Sequence, residues 1–157
     1  MDSGGYRITM GKAECGSICK EAIRSAEHRL QSGVQLLFKP DIELPFTFTS
    51  DALRIQQVLT NLLTNACKHT SSGEIRLGCS LKEIPGMIAF SVEDTGPGIP
   101  EEQAQRIFER FVKLEDFVQG TGLGLSICRE IAGKMNGKIY LDTSYSPGAR
   151  FVFAVPV

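Results

Sequence analysis

The stretch SDALRIQQVLTNLLTNACKHTSSG, residues 50–73, contains the strongest helical pattern in the chain. Ser50 or Asp51 can cap the start of a helix, and a turn-forming run that ends at Gly73 closes it. Between them, apolar side chains recur at the three- and four-residue spacing of one helical face. These residues are Ile55, Val58, Leu59, Leu62, Leu63 and Ala66. The pattern predicts an amphipathic helix that packs on a core.

A polar face runs along the second half of the same helix. Asn61, Asn65, Lys68 and His69 are spaced so that all four can lie on one side. The amide oxygen of Asn65 is a suitable ligand for a Mg²⁺ ion that phosphates also hold. Lys68 offers a point charge for a phosphate. Taken alone, the same residues are more typical of a solvated helix face than of a binding site.

The segments around this helix alternate between strand and helix patterns. Proline and glycine turns separate them, and the hairpin at 75–92 shows clean alternation of apolar and polar residues. We predict strands at 6–9, 34–39, 46–49, 75–82, 87–92, 138–143 and 150–155, and helices at 15–32 and 121–135, with a short helical piece at 102–108. The order predicts an α/β (α+β) two-layer sandwich, in which a mixed, mostly antiparallel sheet carries its helices on one face.

Composition excludes several functional classes. The chain has 157 residues, of which 42% are hydrophobic and 22% charged, and its net charge is −1. These values indicate one soluble globular domain with no basic surface for nucleic acid or membrane contact. The five cysteines include no zinc-type pair of CxxC motifs. Cys15 and Cys19 lie one helical turn apart, and we interpret them as small apolar core residues rather than a metal or redox pair.

Two glycine-rich segments can approach a ligand closely. Asp94 ends a strand and leads into Gly96 and Gly98, so its carboxylate could accept a hydrogen bond from an adenine amino group, although an ordinary turn has the same composition. The run from Gly120 to Leu125 opens a helix, where backbone N–H groups favour an anion. That run is neither a P-loop nor a Rossmann fingerprint, and a flexible hinge would look similar.

Four motifs together resemble the ATP-binding catalytic domains of two-component sensor histidine kinases. The segment 61–70 resembles the N box, 94–98 the first glycine box, 108–111 the F box and 120–125 the second glycine box, all in the family's order. The resemblance covers the chain from about Cys15 to its C-terminus. It implies a Bergerat-type fold of the GHKL superfamily that holds ATP and Mg²⁺ between sheet and helices.

The resemblance also implies a role for each matching residue. Mg²⁺ would be held by Asn65 with help from Asn61, and a lid would extend from Glu109 to Gly120. Phosphate contacts would come from Lys68, Arg110 and Lys113, with Asn61, Asn65, Lys68 and Arg110 forming the catalytic set. The nucleotide pocket would be lined by His69, Asp94, Gly96, Gly98, Ile99, Phe108, Gly120, Thr121, Gly122, Leu123, Gly124 and Leu125. For Phe108, simple core packing fits as well as lid anchoring.

Asn61 separates this chain from the hydrolytic branches of the same superfamily. Those relatives carry a glutamate four residues before the Mg²⁺ asparagine, where it activates water, and an asparagine cannot take that proton. Neither His28 nor His69 lies in a phosphoacceptor motif. We therefore expect residues 1–12 to be a linker or tail of an upstream dimerisation region and 13–157 to be the catalytic domain.

The resemblance also implies what the domain does in a cell. It would transfer the γ-phosphoryl group to a histidine on a separate homodimerising domain, and a response regulator would act downstream. The domain would lie in the cytoplasm as part of a membrane-anchored sensor. The alternative is a non-catalytic nucleotide-sensing module of the same fold. The turn at Pro147, Gly148 and Ala149 departs from the family, which often has a hydroxyl residue there.

Overall fold

The computed structural model describes residues 7–109 and 124–157, and the elements named below are those found in these two ranges. The strands are β1 (Gly11–Glu14), β2 (Gln35–Asp41), β3 (Thr47–Ser50), β4 (Glu74–Ser80), β5 (Met87–Asp94), β6 (Lys138–Leu141) and β7 (Arg150–Pro156). The helices are α1 (Cys15–Ala26), α2 (Ala52–His69) and α3 (Gly124–Lys134), with 3-10 turns at Glu27–Arg29, Glu101–Gln103 and Arg106–Phe108.

The main sheet has the strand order β2-β4-β5-β7-β6. β2 runs parallel to β4, and the remaining neighbours in this sheet pair antiparallel. β1 and β3 form a separate two-stranded antiparallel ribbon beside it. The predicted mixed, mostly antiparallel sheet is confirmed, as is the hairpin between β4 and β5.

Alternation along the strands decides which side chains meet the helices. In β5, Ile88, Phe90 and Val92 enter the main core, whereas Glu93 lies on the opposite face. There it pairs with Arg76 of β4 at 2.9 Å and with Arg150 of β7 at 3.0 Å. Since successive side chains point to opposite faces, one face is apolar and helix-covered and the other carries an ion-pair ladder. The same phase places Asp94, two residues after Val92, on the helix side.

Helix α2 is the central helix of the covering layer. The carboxylate of Asp51 caps it by accepting a hydrogen bond from the Arg54 N–H at 3.1 Å. The other oxygen of Asp51 accepts one from the Thr9 N–H at 2.7 Å, which ties the segment before β1 to the start of this helix. Its apolar stripe is fully buried, as predicted, and α1 and α3 pack on either side of it. None of the helices in the described ranges is long and apolar enough to cross a bilayer.

Most predicted boundaries are shifted by one or two residues, the helical piece predicted at 102–108 is two separate 3-10 turns, and two differences near the N-terminus are larger. The helix predicted over 15–32 ends at Ala26, passes into a 3-10 turn at Glu27–Arg29 and becomes extended at Leu30. Beyond it, the side-chain amide of Gln31 donates to the carbonyl oxygens of Cys67 (3.1 Å) and Lys68 (3.2 Å). These carbonyls belong to the last turn of α2, which has no intrahelical donors for them. The predicted strand at 6–9 is absent over its described residues 7–9, and the first strand begins instead at Gly11.

Candidate functional site

The polar face of α2 lies along the edge of its buried stripe. Asn61, Asn65 and His69 are half-buried, and Lys68 is exposed. The helix continues through His69, so the predicted face is formed in one regular element. The cap that Gln31 supplies holds the last turn, where Lys68 and His69 lie.

Asp94 is a buried carboxylate at the end of the central strand β5. Its side chain is 5% exposed, and its Oδ1 atom accepts hydrogen bonds from the Gly96 N–H at 2.8 Å and the Ala149 N–H at 3.3 Å. Burial raises the pKa of Asp94, and the two backbone hydrogen bonds and the charge of Arg76 oppose that rise. No donor within residues 7–109 and 124–157 reaches Oδ2. The Asp94 carboxylate therefore keeps an oxygen that a ligand can use as an acceptor.

Gly96 and Gly98 shape the turn that follows Asp94. A Cβ atom at Gly96 would lie 2.7 Å from the carbonyl oxygen of His69, so the turn can press against the end of α2 only with glycine there. Gly98 has φ +81, and a Cβ atom would lie 2.9 Å from the carbonyl oxygen of Gly148. The close approach joins β5, α2 and the turn before β7 around one carboxylate.

Helix α3 meets the polar face of α2 at Asn61. The Cys128 thiol of α3 donates to the Val58 carbonyl oxygen of α2 at 3.9 Å. Burial raises the pKa of Cys128 to about 12, against the effect of the Asn61 side chain. At the start of α3, Gly124 is exposed and Leu125 half-buried. The predicted second glycine box thus leads into a helix that packs beside the asparagines.

Phe108 and Ile99 support the site from the core. Phe108 is 3% exposed and packs edge-on against Phe151 of β7, with ring centroids 6.0 Å apart. Ile99 is half-buried against the same core. Of the two interpretations left open for Phe108, the structure shows core packing, which also fixes the chain where the predicted lid begins.

Several predicted contacts lie outside the described residues. Arg110, Lys113, Gly120, Thr121, Gly122 and Leu123 belong to the range 110–123, so their roles stay predictions. Within the described ranges, the end of α2, the turn after β5 and the turn before β7 adjoin one another, and α3 packs on α2. The buried Asp94 carboxylate therefore lies at the end of the helix that carries the two asparagines and Lys68.

Sequence reasoning missed two contributors to the site. The Ala149 N–H donates to Asp94, and the Gly148 carbonyl contacts Gly98, so the turn before β7 forms one wall. A Pro-Gly pair before a strand marks a turn, but nothing in the sequence shows which strand end it meets. Thr70 was also missed: its hydroxyl is buried at the end of α2 without a hydrogen-bond partner in the described ranges.

The chain matches the profile of one protein family over residues 50–157, which is more than half its length. That family is described as histidine kinase-, DNA gyrase B-, and HSP90-like ATPase. Among similar proteins, the adaptive-response sensory kinase SasA of Nostoc sp. is 38% identical over 150 residues, which is 93% of this chain and 37% of SasA. The sensor histidine kinase RcsC of Escherichia coli is 36% identical over 133 residues, which is 82% of this chain and 14% of RcsC.

Solved structures of histidine kinases share the fold. The catalytic domain of histidine kinase ThkA superposes with a TM-score of 0.80 at 31% identity, covering 94% of this chain and 97% of that one. Full-length ShkA in complex with AMPPNP superposes with a TM-score of 0.82 at 29% identity, covering 96% of this chain and 32% of ShkA. The chain spans 37% of SasA and 14% of RcsC, so it corresponds to one part of each of those proteins. From the family match and the ThkA likeness together, the chain belongs to the histidine kinase-, DNA gyrase B-, and HSP90-like ATPase family, as a Bergerat-fold catalytic domain of the histidine kinase type.

Proposed function

We propose that this chain binds Mg-ATP and donates the γ-phosphoryl group to a histidine on a separate dimerisation domain. The observation that carries the proposal is the buried Asp94 carboxylate, held by two backbone N–H groups against the end of α2. A carboxylate with one oxygen fixed and the other lacking a described donor suits an adenine amino group. The buried Thr70 hydroxyl offers a second polar atom in the same region.

The residues of α2 fit a magnesium ion in their chemistry. Mg²⁺ usually keeps several waters and takes only one or two protein oxygens beside substrate phosphates. Asn65 and Asn61 each supply a half-buried amide oxygen. When bound, the ion would neutralise phosphate charge, a main requirement of phosphoryl transfer. Lys68 would add a positive charge at the exposed edge.

The chain's own groups favour transfer to an external nucleophile over hydrolysis. Asn61 stands where a glutamate would accept the proton of an attacking water, and its neutral amide cannot do so. A neutral imidazole is already a competent nucleophile. The task left to this domain is to orient the nucleotide and hold its phosphates. Asp94 would fix the base while α2 and the start of α3 face the phosphates.

The partners follow from the same proposal. The acceptor histidine would lie on an upstream dimerisation domain of the same protein, and a response regulator would take the phosphoryl group next. ThkA is known in complex with the response regulator TrrA. We place this domain in the cytoplasm, where ATP is available.

The test is a calorimetric titration with a non-hydrolysable ATP analogue, with and without Mg²⁺, followed by a phosphotransfer assay. We expect binding that Mg²⁺ strengthens, and label transfer to a supplied dimerisation domain that carries its acceptor histidine. The alternative, a non-catalytic nucleotide-sensing module, predicts tight Mg-ATP binding without transfer. Steady ATP hydrolysis by the chain alone would contradict both.

A further inference from the structure

Three buried cysteine thiols converge on the side of the core away from Asp94. Cys15 and Cys19 come from the first turns of α1, and Cys79 is the sixth of the seven residues of β4. Their sulfur atoms all lie within 4.8 Å of one another, and the Cys15 thiol donates to the Cys79 sulfur at 3.2 Å. Each residue is at most 3% exposed. Three soft ligand atoms therefore lie close enough together to bind one ion.

The cluster is separate from the proposed nucleotide pocket. In the β4–β5 ladder, Asp94 pairs with Ile75 at one end, and Cys79 pairs with Phe90 four residues further along β4. Four residues of strand correspond to about 13 Å. Cys79 pairs with Pro40, next to Asp41, which is exposed at the end of β2.

Negative charge is favoured on one of the three sulfurs, that of Cys79. Hydrogen bonds from Cys15, from Cys19 and from the Asp41 backbone N–H lower the pKa of Cys79, against the effect of burial. The pKa of Cys19 is raised by its hydrogen bonds with Cys15 and Cys79 and by burial, and the pKa of Cys15 is raised because its hydrogen bond with Cys79 and burial outweigh its bond with Cys19. Cys15 is the first residue of α1, so the positive end of the helix dipole lies at the cluster. Glu14 acts in the other direction, although its carboxylate is occupied by the N–H groups of Gly16 and Ser17.

The geometry suits a three-coordinate ion. Three sulfurs around a metal at bonds of about 2.3 Å form a triangle with sides of about 4.0 Å. Moving the Cys15 and Cys79 sulfurs apart from 3.2 Å to that spacing requires a shift within the reach of a cysteine side chain. No further His, Cys, Asp or Glu ligand joins the three in the described ranges. Structural zinc and iron–sulfur sites take four protein ligands, whereas soft thiolates also select monovalent copper.

We propose that Cys15, Cys19 and Cys79 form a binding site for one Cu(I) ion, coordinated by three sulfurs and distinct from the nucleotide pocket. Each thiol that binds as a thiolate releases its proton to solvent. The ion would join the start of α1 to β4 at the far end of the sheet. The site includes Cys79 in addition to Cys15 and Cys19, which the sequence spacing indicated only as core residues.

The test is an anaerobic titration of the reduced chain with Cu(I) in competition with a copper chelator. We expect one ion per chain, three sulfur neighbours in X-ray absorption, and a higher melting temperature with copper. Cys79→Ser and Cys19→Ala should each weaken binding by about 100-fold or more, since losing a ligand costs at least as much as losing an outer-shell partner. ATP-analogue binding should persist in both variants, which separates this proposal from the proposed kinase function.

Cys67→Ser and Cys128→Ser are the matched controls, because both cysteines are buried and lie outside the cluster. Both should keep the copper affinity of the unmodified chain. A circular dichroism spectrum and a melting curve check that each variant is folded. The proposal is overturned if the folded chain binds Cu(I) more weakly than micromolar, if Cys19→Ala leaves the affinity unchanged, or if X-ray absorption shows fewer than three sulfurs. It is also overturned if reduced protein takes up no copper while air produces a disulfide between Cys15 and Cys79.

Discussion

Replacing Asp94 with asparagine should separate nucleotide binding from folding. Asparagine keeps an oxygen that can accept the hydrogen bonds now made by the Gly96 and Ala149 N–H groups. Its other atom becomes an N–H₂ donor, which would face the donor amino group of adenine. Because burial raises the pKa of Asp94, the folded state disfavours the charge that the substitution removes. The fold should therefore tolerate Asp94→Asn, whereas the proposed recognition of the base should not.

The expected magnitudes differ enough to be measured apart. A hydrogen bond to a charged group contributes about 1.5–3 kcal/mol, so Asp94→Asn should weaken binding of the ATP analogue by about 10- to 100-fold. Its free energy of unfolding should change by less than about 1 kcal/mol. Asp94→Ala leaves two buried N–H groups without an acceptor and should lose about 1–3 kcal/mol of stability in addition to the binding.

Calorimetric titration and urea denaturation of the same preparations measure these two effects. Asp41→Asn is the matched control, because it makes the same chemical change at an exposed carboxylate at the end of β2, and it should alter neither quantity appreciably. Undiminished binding by folded Asp94→Asn protein would refute the proposed contact between Asp94 and the base. A large loss of stability in Asp94→Asn would refute the reasoning from its raised pKa.

The titration of Asp94, the proposed magnesium ligand Asn65 and the core residue Phe108 can each be tested in turn. As pH falls through the raised pKa of Asp94, its acceptor charge is lost, so binding of the ATP analogue should begin to weaken at a higher pH than if Asp94 had the pKa of an ordinary aspartate. Calorimetric titrations at several pH values check this, and Asp94→Asn should remove the dependence on pH. Asn65→Ala should abolish the gain in affinity from Mg²⁺ while leaving metal-free binding intact, and an unchanged magnesium response would exclude Asn65 as a ligand. Phe108→Ala should lower the free energy of unfolding by about 3–5 kcal/mol, whereas Phe108→Leu should lower it by less than about 1.5 kcal/mol. If the denaturation curve of Phe108→Ala coincides with that of the unmodified chain, Phe108 does not stabilise the core.

The fold could be predicted closely because its signals are local. The stripe from Ile55 to Ala66 and the alternation from Ile75 to Val92 each follow one period over many residues, and both elements formed as predicted. The prediction failed where a residue's partner is distant in sequence. Gln31 continues a helical pattern, but it leaves the helix to cap the last turn of α2, 36 residues away.

The site was predicted in its residue types and only partly in its arrangement. Asp94 follows Val92 in the inward phase of β5, so the strand period places it under the helices. Its acceptor geometry depends on the Ala149 N–H, 55 residues away, which no local pattern identifies. The Cys128 thiol likewise reaches the Val58 carbonyl oxygen, 70 residues away, only through the packing of α2 on α3.

The cysteine cluster shows the limit of sequence periods most directly. Spacing alone places Cys15 and Cys19 on one side of α1, and alternation places Cys79 on the inward face of β4, so both faces are predictable as core. Whether two core residues touch depends on the position along the strand at which the helix crosses, and hydrophobic burial, being non-directional, does not determine that position. The Cys15–Cys79 contact spans 64 residues and is visible only after the ribbon of β1 and β3 has positioned the start of α1. Unassigned chemistry in a domain of known family is therefore best sought where helix and sheet meet, among residues that sequence patterns classify only as buried.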